Sequence, residues 1–199
     1  MTRHNVTGVV LAGGRSSRMG TNKALLRFED GHTVIERIVA ALRPLCADLL
    51  LVTNTPRDYA FLQLPMQGDL YPGASSLGGI CTGLTHATQP RILALSCDLP
   101  LVRGDVLDYL LELPAEVDLV MPNVDGRKQP LHAVYAKSCL QPMRDQIAAG
   151  DLKIVRLLDH LRGRIVDEAE LNAIDPKHLS FRNMNTPADW AEIQRLGTE

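Results

Sequence analysis

Residues Val6–Leu26 read VTGVVLAGGRSSRMGTNKALL. The opening run, Val6–Ala12, is short, β-branched and apolar, the pattern of a buried strand. From Leu11 to Leu26 come three glycines, Gly13, Gly14 and Gly20, with Arg15, Arg18 and Lys23 among them. In an open parallel sheet, ligands sit beyond the carboxyl ends of the strands. Glycines let a backbone approach an anion closely, and successive N–H groups form an anion-binding nest. Arginine adds bidentate phosphate contacts and lysine a point charge. The loop has no G-x-G-x-x-G spacing. It is not a Walker A loop either, because five residues separate Gly14 from Gly20 and no G-K-[ST] follows. Two readings fit: a generic phosphate loop, or a turn with solvated cations.

The rest of the chain alternates strand and helix patterns. Thr33 with Glu36 is a capping box opening a helix whose apolar face is Val34, Ile35, Ile38, Val39 and Leu42, with Pro44 after it. Asp48–Asn54 reads as a second strand and Thr55–Leu77 as loop; LGGICTGLTHA follows as a short helix packed closely through its glycines. Arg91–Asp98 is a third strand, and Asp105 is expected to cap the helix carrying Val106, Leu107, Leu110 and Leu111. Strands are expected at Asp118–Val124, Pro130–Ala136 and around GRIVDE, with helices near Leu140–Ala149 and Leu152–Leu161. Thr186 and Pro187 start a final helix with Trp190, Ile193 and Leu196 inward. This order predicts a three-layer, Rossmann-like α/β fold, a mainly parallel sheet with helices on both faces. The length of 199 residues suits a single domain over 1–199.

Composition excludes some classes. A net charge of −2 lacks the positive surplus of bulk nucleic-acid or polybasic membrane binding. No run approaches the about 18 apolar residues of a membrane helix, and the N-terminus lacks a signal-peptide core, so the cytoplasm is expected. Cys46, Cys81, Cys97 and Cys139 show no paired spacing and read as reduced, mostly buried thiols. A triphosphate at the loop would bring a divalent metal, which needs oxygen ligands. Asp98, at the end of the third strand, is the candidate; turn capping is the other reading. Asp69, in GDLYPG, fits turn chemistry, and Asn54 alone is a strand-terminating asparagine. His132 lies between apolar strand residues and reads as core rather than ligand.

LAGGRSSRMGTNKALL closely resembles the signature L-A-G-G-x-S-x-R-M-G-x-x-K-x-L of nucleotidyltransferases related to molybdenum cofactor guanylyltransferase. CDLPL is similar to that family's C-D-x-P, QPLHAVY to its Q-P-L-x-A-[VL]-Y, and NMNTPADW to its N-[IM]-N-T-P-x-D ending. The resemblance runs from Val6 to Trp190 and implies a nucleotide-diphospho-sugar-transferase-like fold, with nucleotide binding over about 1–100 and acceptor binding over about 101–199. It implies that Leu11, Ala12, Gly13 and Gly14 hold base and phosphates, that Arg18 and Lys23 neutralise the triphosphate, and that Asp98 holds Mg²⁺. Asp69 and Asn54 would contact the nucleotide. Gln129, Asn183 and Asn185 would face the acceptor, and Arg127 and Lys128 either meet an anionic acceptor or form a solvated basic turn. GASSLGGI departs from the family's G-P-L-[AG]-G, with Ser76 where proline is usual. The implied reaction transfers GMP from GTP to the phosphate of molybdopterin, or of its molybdenum-loaded form. Other cofactor-biosynthesis proteins or molybdoenzyme chaperones are implied as partners. Alternatives are transfer from CTP or to another acceptor, and a non-catalytic nucleotide-binding module that delivers cofactor. The cytidylyltransferase branch tends to carry A-A-G in place of Ala12-Gly13-Gly14.

Overall fold

The computed structural model describes residues 3–13, 22–114 and 116–197. The strands are β1 (His4–Leu11), β2 (Cys46–Val52), β3 (Met66–Gln67), β4 (Arg91–Ser96), β5 (Leu119–Val124), β6 (Arg127–Lys128), β7 (His132–Ala136) and β8 (Gly163–Val166). The helices are α1 (Val34–Leu42), α2 (Ser75–His86), α3 (Gly104–Glu112), α4 (Leu140–Ala148), α5 (Glu168–Asn172) and α6 (Pro187–Leu196).

β1 is central, parallel to β2 on one side and to β4 on the other, with β3 continuing the parallel set beyond β2. β7 runs antiparallel between β4 and β5, and β8 lies parallel to β5. The sheet is therefore mixed but mainly parallel, as the alternating pattern predicts. Side chains of a strand alternate between faces. Val6 and Val10 of β1 enter the core beneath α1, α3 and α6, while Val9 enters the core beneath α2 and α4. A strand covered on both faces has no position for a polar side chain in water, which is why this one reads as a nearly continuous apolar run. The third layer is packed closely. A Cβ at Gly83 of α2 would lie 2.6 Å from Val9 Cγ1, so glycine there lets the helix backbone sit against β1.

The α1 capping box forms: Glu36 N–H donates to Thr33 Oγ1 at 3.3 Å, and Thr33 N–H donates to Glu36 Oε2 at 2.7 Å. Other expectations need correction. Asp105 is not the cap of α3; Arg103 holds that position, and Asp105 lies in the first turn, where its carboxylate accepts from Arg103 Nε at 3.0 Å. Leu152–Leu161 is not an α-helix but contains a 3₁₀ segment, Ile154–Asp159. Its buried residues, Ile154 and Leu157, are three apart, the spacing that a 3₁₀ turn brings to one side. Thr55–Leu77 is more ordered than a loop: it holds a 3₁₀ segment over Pro56–Leu62, the edge strand β3 and the start of α2. β7 begins at His132 rather than Pro130, since proline has no N–H for the ladder. α5, with its own capping box from Asp167 to Glu170, was not expected.

Candidate functional site

The ends of the parallel strands are tied level with one another. Ala12 N–H donates to Val52 O at 2.9 Å, Cys97 N–H to Leu11 O at 3.2 Å, and Thr53 N–H to Gln67 O at 2.9 Å. Ala12 is buried and Gly13 exposed. A Cβ at Gly13 would meet nothing within 4 Å among the described residues, and the backbone there is not left-handed. Among the described residues, then, neither packing nor conformation demands glycine at 13. Gly14, Arg15, Arg18 and Gly20 lie outside the described residues, so their expected contacts with phosphate are not placed.

The chain resumes at Asn22, whose Oδ1 accepts from Ala24 N–H at 3.2 Å and whose Nδ2 donates to Tyr59 Oη at 2.9 Å. Ala24 is fully buried, so this short 3₁₀ turn has a fixed seat. Lys23, its first residue, donates from Nζ to Asn185 Oδ1 at 3.0 Å across 162 residues of sequence. Asn185 is fixed in turn by the start of α6. Asp189 Oδ2 accepts from Asn185 N–H and from Thr186 N–H, both at 2.8 Å, and Thr186 Oγ1 accepts from Asp189 N–H at 3.1 Å. Those backbone donors hold the Asp189 carboxyl below its ordinary pKa.

Asp98 stands just past β4, and its carbonyl accepts from Met184 N–H at 2.9 Å. Its side-chain Oδ1 is buried and, among the described residues, has no hydrogen-bond partner. A buried carboxylate oxygen without a donor is costly, on the order of 1–3 kcal/mol or more for a charged group, unless something absent from the free protein satisfies it. Asp98 lines a cavity of about 200 Å³ that also takes in Gln129, His132, Asn183 and Asn185. The structure thus brings Asp98 together with the three expected acceptor residues, and Asn185 joins that group to Lys23. The neighbouring Cys97 thiol is pushed up to about 12, by burial first and by the Asp98 charge second, so it stays protonated. The four cysteines are free, and burial also pushes Cys46 and Cys139 up to about 12.

Asn54 and Asp69 form a separate pair. Asp69 N–H donates to Asn54 Oδ1 at 2.9 Å, while Asp69 Oδ1 accepts from Tyr71 N–H at 2.9 Å and from Thr82 Oγ1 at 3.2 Å. This is the turn chemistry its sequence suggests, and it pins the loop after β3 onto α2. Neither residue lines the cavity at Asp98. At the Ser76 departure, α2 begins without a side-chain cap, and Ser75 takes a φ of +54°, a left-handed conformation.

A larger groove of about 640 Å³ adjoins the cavity, with Gln129, Asn183 and Asn185 on both walls. Arg127, Lys128, Lys177 and Arg182 line it. Arg127 and Lys128 are presented by a tight hairpin: Asp125 and Gly126 have φ of +51° and +68°, the doubly left-handed turn that Asp-Gly favours. That Asp-Gly dipeptide was the overlooked signal for β6. Lys177 and Arg182 had no signal beyond their charge. Arg182 is ion-paired with Glu192.

A carboxylate with an unpartnered oxygen and a lysine–asparagine pair, gathered past the ends of parallel strands, suit chemistry at phosphate, and the fold and rim together define a nucleotidyltransferase. The chain belongs to the family described as the MobA-like NTP transferase domain, which it matches over residues 8–165. It is 35% identical over 192 residues to a probable molybdenum cofactor guanylyltransferase of Carboxydothermus hydrogenoformans, covering 96% of each chain. It is 34% identical to the molybdenum cofactor guanylyltransferase of Desulfosudis oleivorans, covering 95% of this chain and 94% of that one. Among solved structures, the molybdopterin-guanine dinucleotide biosynthesis protein A of Archaeoglobus fulgidus superposes with a TM-score of 0.83 at 26% identity, covering 97% of this chain and 99% of that one. Among the described residues, no helix is long and apolar enough to cross a membrane.

Proposed function

We propose that this nucleotidyltransferase transfers GMP from GTP to the phosphate of molybdopterin, forming the guanine dinucleotide and releasing pyrophosphate. An oxygen of the acceptor phosphate attacks the α-phosphorus of GTP. One P–O bond forms and the α–β bridging P–O bond breaks, so the nucleophile comes from the substrate and no side chain need supply it. The protein's part is alignment and charge. The backbone at Leu11–Gly13, continuing into Gly14, faces the nucleotide. Lys23, with Arg18, offsets triphosphate charge, and the Asn54–Asp69 pair shapes the nucleoside side. Gln129, Asn183 and Asn185 orient the acceptor, whose remaining bulk extends over the basic hairpin at Arg127 and Lys128. A cytoplasmic location belongs to the same reading.

The observation that carries this reading is the unpartnered, buried Oδ1 of Asp98, set in one cavity with those acceptor-side residues. It also bears on the metal. Among the described residues no group of three or more His, Cys, Asp or Glu side chains gathers to hold an ion. A single carboxylate fits Mg²⁺, which is commonly bound by one or two carboxylates with substrate phosphates and water completing its shell. Asp98 would hold it, and the ion when bound would supply charge stabilisation at the phosphates. The test is pyrophosphate release from GTP, Mg²⁺ and molybdopterin by the wild-type protein and by Asp98→Ala. Release by the wild type and loss of at least about a hundredfold in the variant, with an unchanged circular dichroism spectrum, are expected. Comparable rates in both would refute the role given to Asp98; no release by the wild type would refute the reaction.

A further inference from the structure

His132 is the odd residue of the cavity. It opens β7, is 1% exposed, and stacks on Phe181 with ring centroids 4.4 Å apart. Among the described residues neither Nδ1 nor Nε2 makes a hydrogen bond of full geometry, and the Ser180 backbone, which acts on the ring as a weak acceptor, falls short of one. A purely structural histidine in a core ordinarily has at least one nitrogen satisfied, because an unmet buried polar group destabilises the fold. An apolar ring would fill this place beside Phe181 without that penalty. His132 lines the same cavity as Asp98, so two residues that each carry a buried polar atom without a full hydrogen bond among the described residues border one small space. Their needs are complementary to a third party: a carboxylate oxygen seeks a cation, and an imidazole can donate one N–H.

We infer that His132 donates a hydrogen bond to the acceptor's reacting phosphate and orients it for attack, so that it is a substrate-contacting residue and not only a core one. The inference rests on the reaction proposed above and adds a contact to it. A neutral donor suits this place. It fixes an oxygen of the nucleophile without surrendering a proton to it, and so leaves the phosphate its charge. Burial keeps the free imidazole neutral, with its pKa pushed down to about 3 and the Ser180 backbone acting the other way. Charge neutralisation is left to Lys23 and the hairpin cations.

Two measurements test this. In protein labelled with ¹⁵N at histidine, the His132 ring resonances should shift on adding molybdopterin and stay in place on adding GTP with Mg²⁺. In steady state, His132→Phe should raise the KM for molybdopterin on the order of tenfold, the worth of one hydrogen bond. The KM for GTP should not change. The thermal midpoint should be equal or higher, since two buried polar atoms without a full hydrogen bond are removed while the ring contact with Phe181 is kept. His132→Gln, which retains an N–H donor, should recover part of the loss. Unmoved resonances in a protein that turns over would overturn the inference, as would a wild-type acceptor KM in His132→Phe, or both KM values rising together with a lowered midpoint. If the wild type made no product, the reaction would fall, yet the resonance titration would still report whether His132 meets the acceptor.

Discussion

Two glycines on one side of α2 should respond to alanine with opposite signs. Gly79 and Gly83 are four residues apart and both face β1. Any helical Gly→Ala change gains about 1 kcal/mol of intrinsic propensity. At Gly79 the new methyl would sit 3.4 Å from Leu11 Cδ2, an ordinary contact, so most of that gain should survive. At Gly83 it would sit 2.6 Å from Val9 Cγ1 and 3.3 Å from Cγ2. Val9 is fully buried in the central strand and β-branched, so it cannot swing aside as the end of a long side chain would. Overpacking of this kind costs about 1–3 kcal/mol. The net is a gain of roughly 0.5–1 kcal/mol for Gly79→Ala and a loss of up to roughly 2 kcal/mol for Gly83→Ala. At about 2–4 °C per kcal/mol for a chain of this size, the two melting temperatures should straddle the wild-type value. Urea unfolding followed by circular dichroism gives the same comparison at constant temperature. A Gly83→Ala protein as stable as Gly79→Ala would refute the claim that α2 is seated on β1 through Gly83.

The other predictions concern the rim. Reversing charge on the hairpin with Arg127→Glu and Lys128→Glu should raise the acceptor KM at least about tenfold at low salt, with GTP affinity held; the effect should shrink as salt screens it. A salt-independent KM equal to wild type would return these cations to the role of a solvated turn. Asp189 has a lowered pKa in the folded state, so its contribution to stability is complete above its ordinary value of 3.8 and disappears as pH falls through the lower folded value. Urea midpoints compared at pH 7 and near pH 3 should therefore show a smaller acid loss in Asp189→Asn than in wild type; equal losses would argue against the cap as an ionic feature.

Much of the fold could be read because its elements carry local chemistry. Thr33 and Glu36 name the start of α1, Thr186 and Pro187 that of α6, and the apolar run into Gly13 places β1. The errors have a common source. Asp105 looked like a cap because caps are acidic or hydroxylic, but its carboxylate was taken by Arg103 two residues earlier. Leu152–Leu161 reads as helix from its sequence, and the buried pair Ile154 and Leu157 shows a three-residue spacing instead. Pro56 and Pro65 suggested loop where Tyr59 and Leu62 are buried from a 3₁₀ turn. For the site, the sequence motifs indicated Lys23, Asp98, Asn183 and Asn185. Nothing local indicated that Lys23 meets Asn185 or that Asp98 and His132 border one cavity, because those are facts of topology. His132 reads as core, and it is buried as expected; its place beside Asp98 at the cavity is seen only with the neighbours assembled.

The tie between Lys23 and Asn185 also bears on synthesis. During translation β1, β2 and β4 can pair once residue 96 has left the ribosome. The lysine, however, lacks its asparagine, and the carbonyl of Asp98 lacks the Met184 amide, until residues 184 and 185 have emerged. A nascent chain could thus carry β1, β2 and β4 already paired and still lack both ties across this rim, which form only when the start of α6 arrives.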